Sequence, residues 1–594
     1  MTLQAWFTLI VVVGLLGVLV TERISASTAV LGAVLVLLFS RIVTVTQAFS
    51  GFSNPAPITI AALYVLARAV ETTGALGPFV SRAMGRSRGE KRVLGRLTLA
   101  SAGLSAFIYN TPIVAVASPE IAEWSRRNDR AASRYLLPMC YAVSLGGLLT
   151  VLGSSINAVV SGLLESSGRR PLAIFELTRV GGPIAAVGLL LLVASARFLP
   201  KRQDARQALS ETARQFTVEM IVTPEGPLVG LTVSEAGLRN LEGVFLAQIE
   251  RGTRLIAPVE PTEILASGDR LIFAGNVSRV MDLNRIRGLS SIAHQRDIAV
   301  DQPRRGPGPR LYEAVIGPSS PLIGQTLKGA SFRSHYAGAV LAIHRPSAEV
   351  REKLGGVKLH VGDVLLVLAG PEFRERWFDR HDFLVISPLD GTVPLRTRKA
   401  PLVGLIALGL IVVTAIGLVS VVEGALGAAV LLVIGGVLTP AEAREAIDIN
   451  ILLIVAGSFG VAAAIAKSGL ADQIARQFVS GFARFGDVGI LAGVLVATTL
   501  VTQVISNSAT AATMFPIAIA TANHAHLSAR AFAIAVLIGA SASFLTPIGY
   551  DTNMMVYGLG GYRFADFGRY GLVLTVVTVG LAIVLIPIGW PLRT

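Results

Sequence analysis

Cysteine is almost absent from this chain, with a single one, Cys140, among 594 residues. A lone thiol excludes an intramolecular disulfide framework and a cysteine-rich metal site. Charge is scarce as well. Only 15% of the residues are Asp, Glu, Lys or Arg, against about 25% in an ordinary soluble protein. HExxH, GxSxG and Walker A patterns in a supporting strand–turn–helix context are also missing, which argues against an enzyme and against ATP-driven transport. The net charge of +14 comes without an aromatic-interleaved basic patch or a nucleic-acid motif. Such an excess of Lys and Arg is what membrane proteins keep on their cytoplasmic loops, so no nucleic-acid partner is expected.

What the chain has is apolar length. Hydrophobic residues make up 52% of it, and Pro401–Val422, Gly571–Leu592 and Tyr135–Leu164 run without a charge. About 20 apolar residues cross the hydrocarbon core, so these runs predict a large multi-span protein in the lipid bilayer. The opening "MTLQAWFTLIVVVGLLGVLV" lacks the positive leader of a signal peptide and reads as the first span.

Apolar density concentrates in residues 4–199 and 401–592, and the segment between is charged and punctuated by Pro and Gly. Its short alternating stretches, "DRLIFAG" and "DVLLVLAG", predict strands. The segment also repeats itself. "GPLVGLTV" with "ILASGDRLIFAG" returns as "SPLIGQTL" with "KLHVGDVLLVLAG", matching Pro227, Gly230, Thr232, Gly268 and Asp269 to Pro321, Gly324, Thr326, Gly362 and Asp363 at an offset of 94. The expected organisation is a membrane repeat at 1–200, two small α/β modules at 205–297 and 306–392, and a second membrane repeat at 398–594.

The membrane parts match each other at an offset near 396. "ARAVETTGAL" resembles "AAAIAKSGLA". "IYNTPIVAVASP" aligns with "ISNSATAATMFP", and "TVLGSSIN" with "TPIGYDTN". Five spans plus one re-entrant hairpin per half, with Asn110 or Asn507 near the hairpin tip, give an odd number of crossings. The halves are then inverted. Charge supports this. Residues 81–96 carry six basic residues and 123–134 carry four, whereas "SGLADQIARQFVSGFARFGD" and "NHAHLSAR" at the matching places are poorer in them. This bias puts the first hairpin's base and residues 200–398 in the cytoplasm.

Inverted repeats with broken helices are the plan of secondary transporters, with the site at the midplane. Non-helical backbone inside a membrane survives only where protein buries it or it lines a wet cavity. "GSSIN" and "GYDTN" predict such segments, with freed carbonyl and hydroxyl oxygens for a hard cation and helix N-termini for an anion. Each polar residue also has a plainer role. Asn110 and Asn507 suit helix caps, Thr150 and Thr546 suit bonds back to their own helices, and Asp551 suits a place just outside the hydrocarbon. Duplication favours the functional role for the Asn and Thr pairs, and an intramembrane carboxylate is by default functional. Arg68 and Glu71, three apart on a helix, are expected to pair with each other.

Taken in order, "TTGAL", "NTPIVAVASP", "LLPMCYAVSLGGLLTVLGSSIN", "SNSATAATMFP" and "ASASFLTPIGYDTNMMVYGLGGYRFADF" resemble the divalent anion:sodium symporter family. More narrowly, the chain resembles the bacterial and algal permease branch whose cytoplasmic insert holds two RCK C-terminal (TrkA-C) modules. The resemblance implies an all-α polytopic homodimer of the inner membrane that works as an elevator. It implies that Asn110, Thr111 and Pro112, Thr150, Gly153, Ser154, Ser155 and Asn157, Ser506, Asn507 and Ser508, and Thr546, Gly549, Asp551, Thr552 and Asn553 hold the anion and its coupling ion. Sodium would lie against Asn110, Ser155, Asn157, Asn507, Asp551 and Asn553. Tyr109 stands where the family has Ser at the first tip, and the "NTP" form resembles the sulfate-type permeases, which favours sulfate over a di- or tricarboxylate. Asp551 is the expected ligand of the sodium ion or carrier of a proton. No organic cofactor is expected. The modules lack a GxGxxG, so they imply no NAD, but a small regulatory ligand between them is compatible.

Two other functions compete. RCK-type modules also regulate potassium channels and transporters, but a "TVGYG" filter and repeated pore loops are absent. A sensor with a vestigial permease is the other, and two intact polar loops with both Asn tips oppose it.

Overall fold

The computed structural model describes residues 2–21, 25–85, 89–128, 130–195, 198–199, 202, 217–224, 226–238, 244–252, 254–256, 259–275, 286, 288–291, 310–317, 320–345, 354–370, 372–377, 382–388 and 397–593. The chain forms two compact units: residues 1–201, 395–556 and 563–594 in one, and 202–394 with 557–562 in the other.

The first unit is helical. Its first half runs α1 (Leu3–Thr21), α2 (Ala26–Phe39), α3 (Val45–Ala48), α4 (Pro55–Thr73), α5 (Gly77–Met84), α6 (Glu90–Ser105), α7 (Asn110–Arg127), α8 (Ser133–Gly146), α9 (Ser155–Ser166) and α10 (Thr178–Ser195). Local rules set these boundaries. Ser25 and Thr44 cap α2 and α3 through their side chains, and left-handed Gly74 ends α4, as helix stop signals require. Arg68 and Glu71 pair on α4 at 3.2 Å, as their spacing predicts.

With the short helices α11 (Phe332–Tyr336) and α12 (Phe373–Trp377) lying in the insert, the second half of the unit runs from α13 to α22. These are α13 (Ala400–Ala415), α14 (Val421–Ile434), α15 (Pro440–Glu445), α16 (Ile449–Lys467), α17 (Leu470–Phe482), α18 (Gly486–Val501), α19 (Asn507–His524), α20 (Ala529–Ser541), α21 (Asp551–Leu559) and α22 (Phe564–Gly589). Element for element the two series correspond. Even the caps recur: Ser420 and Thr439 repeat Ser25 and Thr44 with full capping boxes, and left-handed Gly469 repeats Gly74.

The halves are interlocked. Helix α2 packs on α16, α4 on α14, α9 on α19, and α10 on α22. Within each half, one glycine permits a close backbone approach. A Cβ on Gly181 would strike the Leu148 carbonyl, and one on Gly571 would strike the Phe544 carbonyl. Among the described residues, five helical stretches are long and apolar enough to cross a membrane: 178–195, 397–415, 449–467, 470–501 and 564–589. Helices α8 and α20 have only 14 and 13 residues, shorter than the ~20 a full crossing needs. Each stops at a polar non-helical loop before a further short helix.

The second unit holds two antiparallel sheets. The first combines β1 (Thr217–Val222), β2 (Val244–Arg251), β3 (Arg254–Ile256), β4 (Arg270–Gly275) and β5 (Leu289–Ser291) in the order β3-β2-β4-β1-β5. The second combines β6 (Arg310–Ile316), β7 (Gly338–His344), β8 (Val364–Ala369) and β9 (Phe383–Pro388) in the order β7-β8-β6-β9. The stretches "DRLIFAG" and "DVLLVLAG" form β4 and β8, as alternation predicts. Each sheet has its own apolar core, around Met220, Ile249 and Phe273 in one and Tyr312, Leu365 and Phe383 in the other.

Each module carries the same Arg–Asp ion pair. Arg251 grips Asp269 with two bonds of 2.8 Å, and Arg345 grips Asp363 with bonds of 2.8 and 2.7 Å. Gly268 and Gly362, just before each Asp, both take positive φ. The expected boundaries near 205, 297, 306 and 392 lie outside the described residues.

Candidate functional site

The site is assembled where four helices begin. In the first half, α6 and α7 form the limbs of a hairpin whose tip is Tyr109–Asn110. The Asn110 side chain does not cap α7. Its Oδ1 accepts from the Ser105 hydroxyl at the end of α6, and that hydroxyl also lies 2.7 Å from the Val143 carbonyl of α8. The second half repeats this with α18 and α19. Thr502 Oγ1 lies 2.8 Å from both Asn507 Oδ1 and the Ala540 carbonyl. One hydroxyl therefore ties a hairpin tip to the adjoining broken helix in each half.

The loops recur in the same way. After α8 ends, Thr150 caps a 3-10 turn at Val151–Gly153, and Ser154 caps α9. Thr150 donates to the Ala106 carbonyl of the hairpin, and Thr546 donates to the Gln503 carbonyl at 2.7 Å. Both threonines thus stitch loop to hairpin rather than bonding back to their own helices, which corrects the plainer expectation. Asn157 Nδ2 spans the Gly147 and Thr150 carbonyls, each at 2.8 Å. Asn553 Nδ2 spans the Ser543 and Thr546 carbonyls at 2.8 and 3.1 Å. These amides satisfy carbonyls that the broken helices would otherwise leave unpaired. Gly153 and Gly549 serve packing, since a Cβ on either would collide with the Ser105 or Thr502 carbonyl.

Between halves, Asn110 Nδ2 donates to the Tyr550 hydroxyl at 2.7 Å, and the Cys140 thiol donates to Asn553 Oδ1 at 3.3 Å. Tyr64 and Tyr109 meet edge to face at 5.7 Å beside the first tip. Of the remaining expected residues, Thr552 is buried, Thr111, Pro112, Ser155 and Ser508 are half-buried, and Ser506 and Asp551 are exposed. Asp551 opens α21, and the Asp448 carboxylate caps α16. Among the described residues, no group of three His, Cys, Asp or Glu side chains is placed to hold a metal ion.

Several buried polar atoms here have no hydrogen-bond partner: Asn157 Oδ1, Asn507 Nδ2, Ser543 Oγ and the Tyr109 hydroxyl. Buried polar groups are normally satisfied, so open ones clustered at helix starts mark a place built for a ligand. Sequence reading missed Ser105, Thr502, Cys140 and Ser543 as members of this cluster. The hydroxyl five residues before each tip Asn was a visible signal for the first two.

The profile of the citrate transporter family matches residues 16–539. This chain is a member of that family. It is a multi-pass membrane transporter and not an enzyme. At 35% identity over 95% of this chain and 98% of the relative, it is similar to a candidate sulfur deprivation response regulator of Chlamydomonas reinhardtii. An uncharacterized transporter of Synechocystis is 32% identical over 97% of this chain and 96% of its own length. Sodium/sulfate cotransporter 2 of Chlamydomonas reinhardtii is 24% identical over 91% and 84%. Among solved structures, the YdaH transporter of Alcanivorax borkumensis aligns with 100% of this chain and 99% of its own at a TM-score of 0.42 and 16% identity.

Proposed function

We propose that this transporter is a secondary active carrier of a small divalent anion, with sulfate the favoured substrate and sodium the coupling ion. One observation carries the reading: a duplicated polar knot with open buried donors and acceptors at the starts of four helices. Helix N-termini with free N–H groups favour an anion. Unwound carbonyls and amide oxygens favour a hard cation beside it. The sodium/sulfate cotransporters among its relatives support both assignments.

In this reading the anion and ion are held by Asn110, Thr111, Pro112, Thr150, Gly153, Ser154, Ser155, Asn157, Ser506, Asn507, Ser508, Thr546, Gly549, Asp551, Thr552 and Asn553. Sodium lies against Asn110, Ser155, Asn157, Asn507, Asp551 and Asn553. The place of the Asp551 carboxylate at the start of α21 supports the ion role, since a bound cation or proton neutralises it. The two series of helices act as inverted repeats of five spans and a re-entrant hairpin, in a homodimeric elevator of the divalent anion:sodium symporter type in the inner membrane. Residues 200–398 face the cytoplasm as two RCK_C-like regulatory domains. A second reading, a di- or tricarboxylate symporter or exchanger, draws on the citrate transporter profile.

The test is uptake of labelled sulfate against labelled succinate in proteoliposomes, with and without a sodium gradient. Sodium-stimulated sulfate uptake is expected. Succinate uptake alone selects the second reading, and uptake of neither defeats both. In Asp551→Asn, sodium or pH dependence is expected to change. A variant with rate, sodium dependence and pH dependence all intact removes Asp551 from the coupling role.

A further inference from the structure

We infer that Ser543 is a substrate ligand, and that its hydroxyl with the Asn507 amide forms an oxyanion-binding donor pair present in only one half. This rests on the anion-transport reading above. The two halves hold the same carbonyl in the same way: Asn157 Nδ2 binds the carbonyl of Gly147, and Asn553 Nδ2 binds that of Ser543. Position 543 is therefore the counterpart of 147. A Cβ added to Gly147 would lie 3.2 Å from Asn110 Oδ1 and 3.3 Å from its Nδ2. By the same relation, the Ser543 side chain belongs beside the amide of Asn507.

Both groups are buried, with Asn507 at 4% and Ser543 at 2% exposure, and both Asn507 Nδ2 and Ser543 Oγ lack a partner. Leaving one such group open is costly, so two in the same loop-and-tip cluster are an unusual defect unless a ligand completes them. What they offer is an amide N–H and an O–H beside the N-terminus of an 18-residue helix. That set suits the oxygens of a tetrahedral oxyanion.

The first half lacks the pair on both counts. It has no side chain at Gly147, and its Asn110 amide is already donated to the Tyr550 hydroxyl. The counterpart of Tyr550 is Ser154, whose hydroxyl caps α9, and Asn507 Nδ2 is left without a partner. Tyr550 therefore closes the first tip while the second stays open. A site with one open donor pair takes an anion with a single charged head. An elongated dianion with two carboxylates would need both tips, so Ser543 holds the anion and Tyr550 sets which anion fits.

The experiment is sulfate and succinate uptake by the full-length protein in proteoliposomes, comparing Ser543→Ala, Ser543→Gly and Tyr550→Ser with the parent. Ser543→Ala and Ser543→Gly, which restores the first-half residue, are expected to raise KM for sulfate about tenfold, the loss of one hydrogen bond to a charged group. The sodium concentration for half-maximal uptake stays unchanged. Tyr550→Ser is expected to gain succinate uptake relative to sulfate. An unchanged sulfate KM in both Ser543 variants of an active carrier overturns the ligand role. An unchanged succinate-to-sulfate ratio in Tyr550→Ser overturns the selectivity role. Failure of the parent to move any anion strikes the functional reading instead, so the two failures are distinguishable.

Discussion

In the first half of the membrane unit the tip amide is committed, Asn110 to Tyr550, and the loop amide keeps an open oxygen on Asn157. In the second half the assignments reverse. Asn507 keeps an open N–H, while the Asn553 oxygen is taken by the Cys140 thiol. Tyr550 stands where the first half has Ser154, and Cys140 where the second half has Val536. Two single-residue differences on a duplicated scaffold therefore leave one donor-rich place and one acceptor-rich place. Near-symmetric folding and asymmetric chemistry are carried by different atoms of the same residues: the amide nitrogens of Asn157 and Asn553 hold the loops, and what is left over meets the ligand.

That contrast breaks most directly at the tips. Asn507→Ala removes an open donor and is expected to lower sulfate uptake by about 100-fold, whereas Asn110→Ala removes one already committed and costs about tenfold. Equal losses in initial-rate uptake would erase the distinction. In the insert, by contrast, the two modules are alike, so Asp269→Asn and Asp363→Asn should behave alike. Each leaves a guanidinium without its carboxylate and is expected to lower stability of its own sheet by about 2 kcal/mol, read by hydrogen exchange of β4 or β8 in the full-length protein. The smallest effect is expected at Cys140. Replacement by Val, the residue of the other half, loses one weak hydrogen bond, and sulfate uptake should fall less than about threefold. The freed Asn553 oxygen should nevertheless sharpen sodium dependence, and an unaltered sodium profile would show that the thiol does not separate the halves.

Much of this was legible in the sequence because it rests on repetition. The paired asparagines, the loop threonines and the glycines ahead of Asp269 and Asp363 all stood at constant offsets, and the structure puts each pair in matching surroundings. What escaped was whatever repetition cannot reveal. Arg251 and Arg345 also recur at the same offset, but an Arg on a strand looks like a solvated face until its carboxylate is seen below it. Ser543 escaped because it differs from its counterpart, Gly147, and lies outside the matched loop stretches. The partners of Thr150 and Thr546 escaped, because a hydroxyl's bond to a carbonyl more than 40 residues away leaves no mark in local spacing. Gly153 and Gly549 were legible as a repeated pair, but the carbonyls packed against them leave no mark in the sequence.

The crosswise packing of α2 on α16 and α4 on α14 bears on biogenesis. The faces of α2, α4 and α9 that pack on the second half stay uncovered until it exists, yet more than 190 residues of insert are made first. At ordinary synthesis rates that interval is about 10–40 seconds. During this time the first half must wait in the bilayer with α2, α4 and α9 facing lipid or an insertion chaperone. The insert therefore acts as a timer as well as a domain, and its length sets how long the nascent transporter is exposed to quality control.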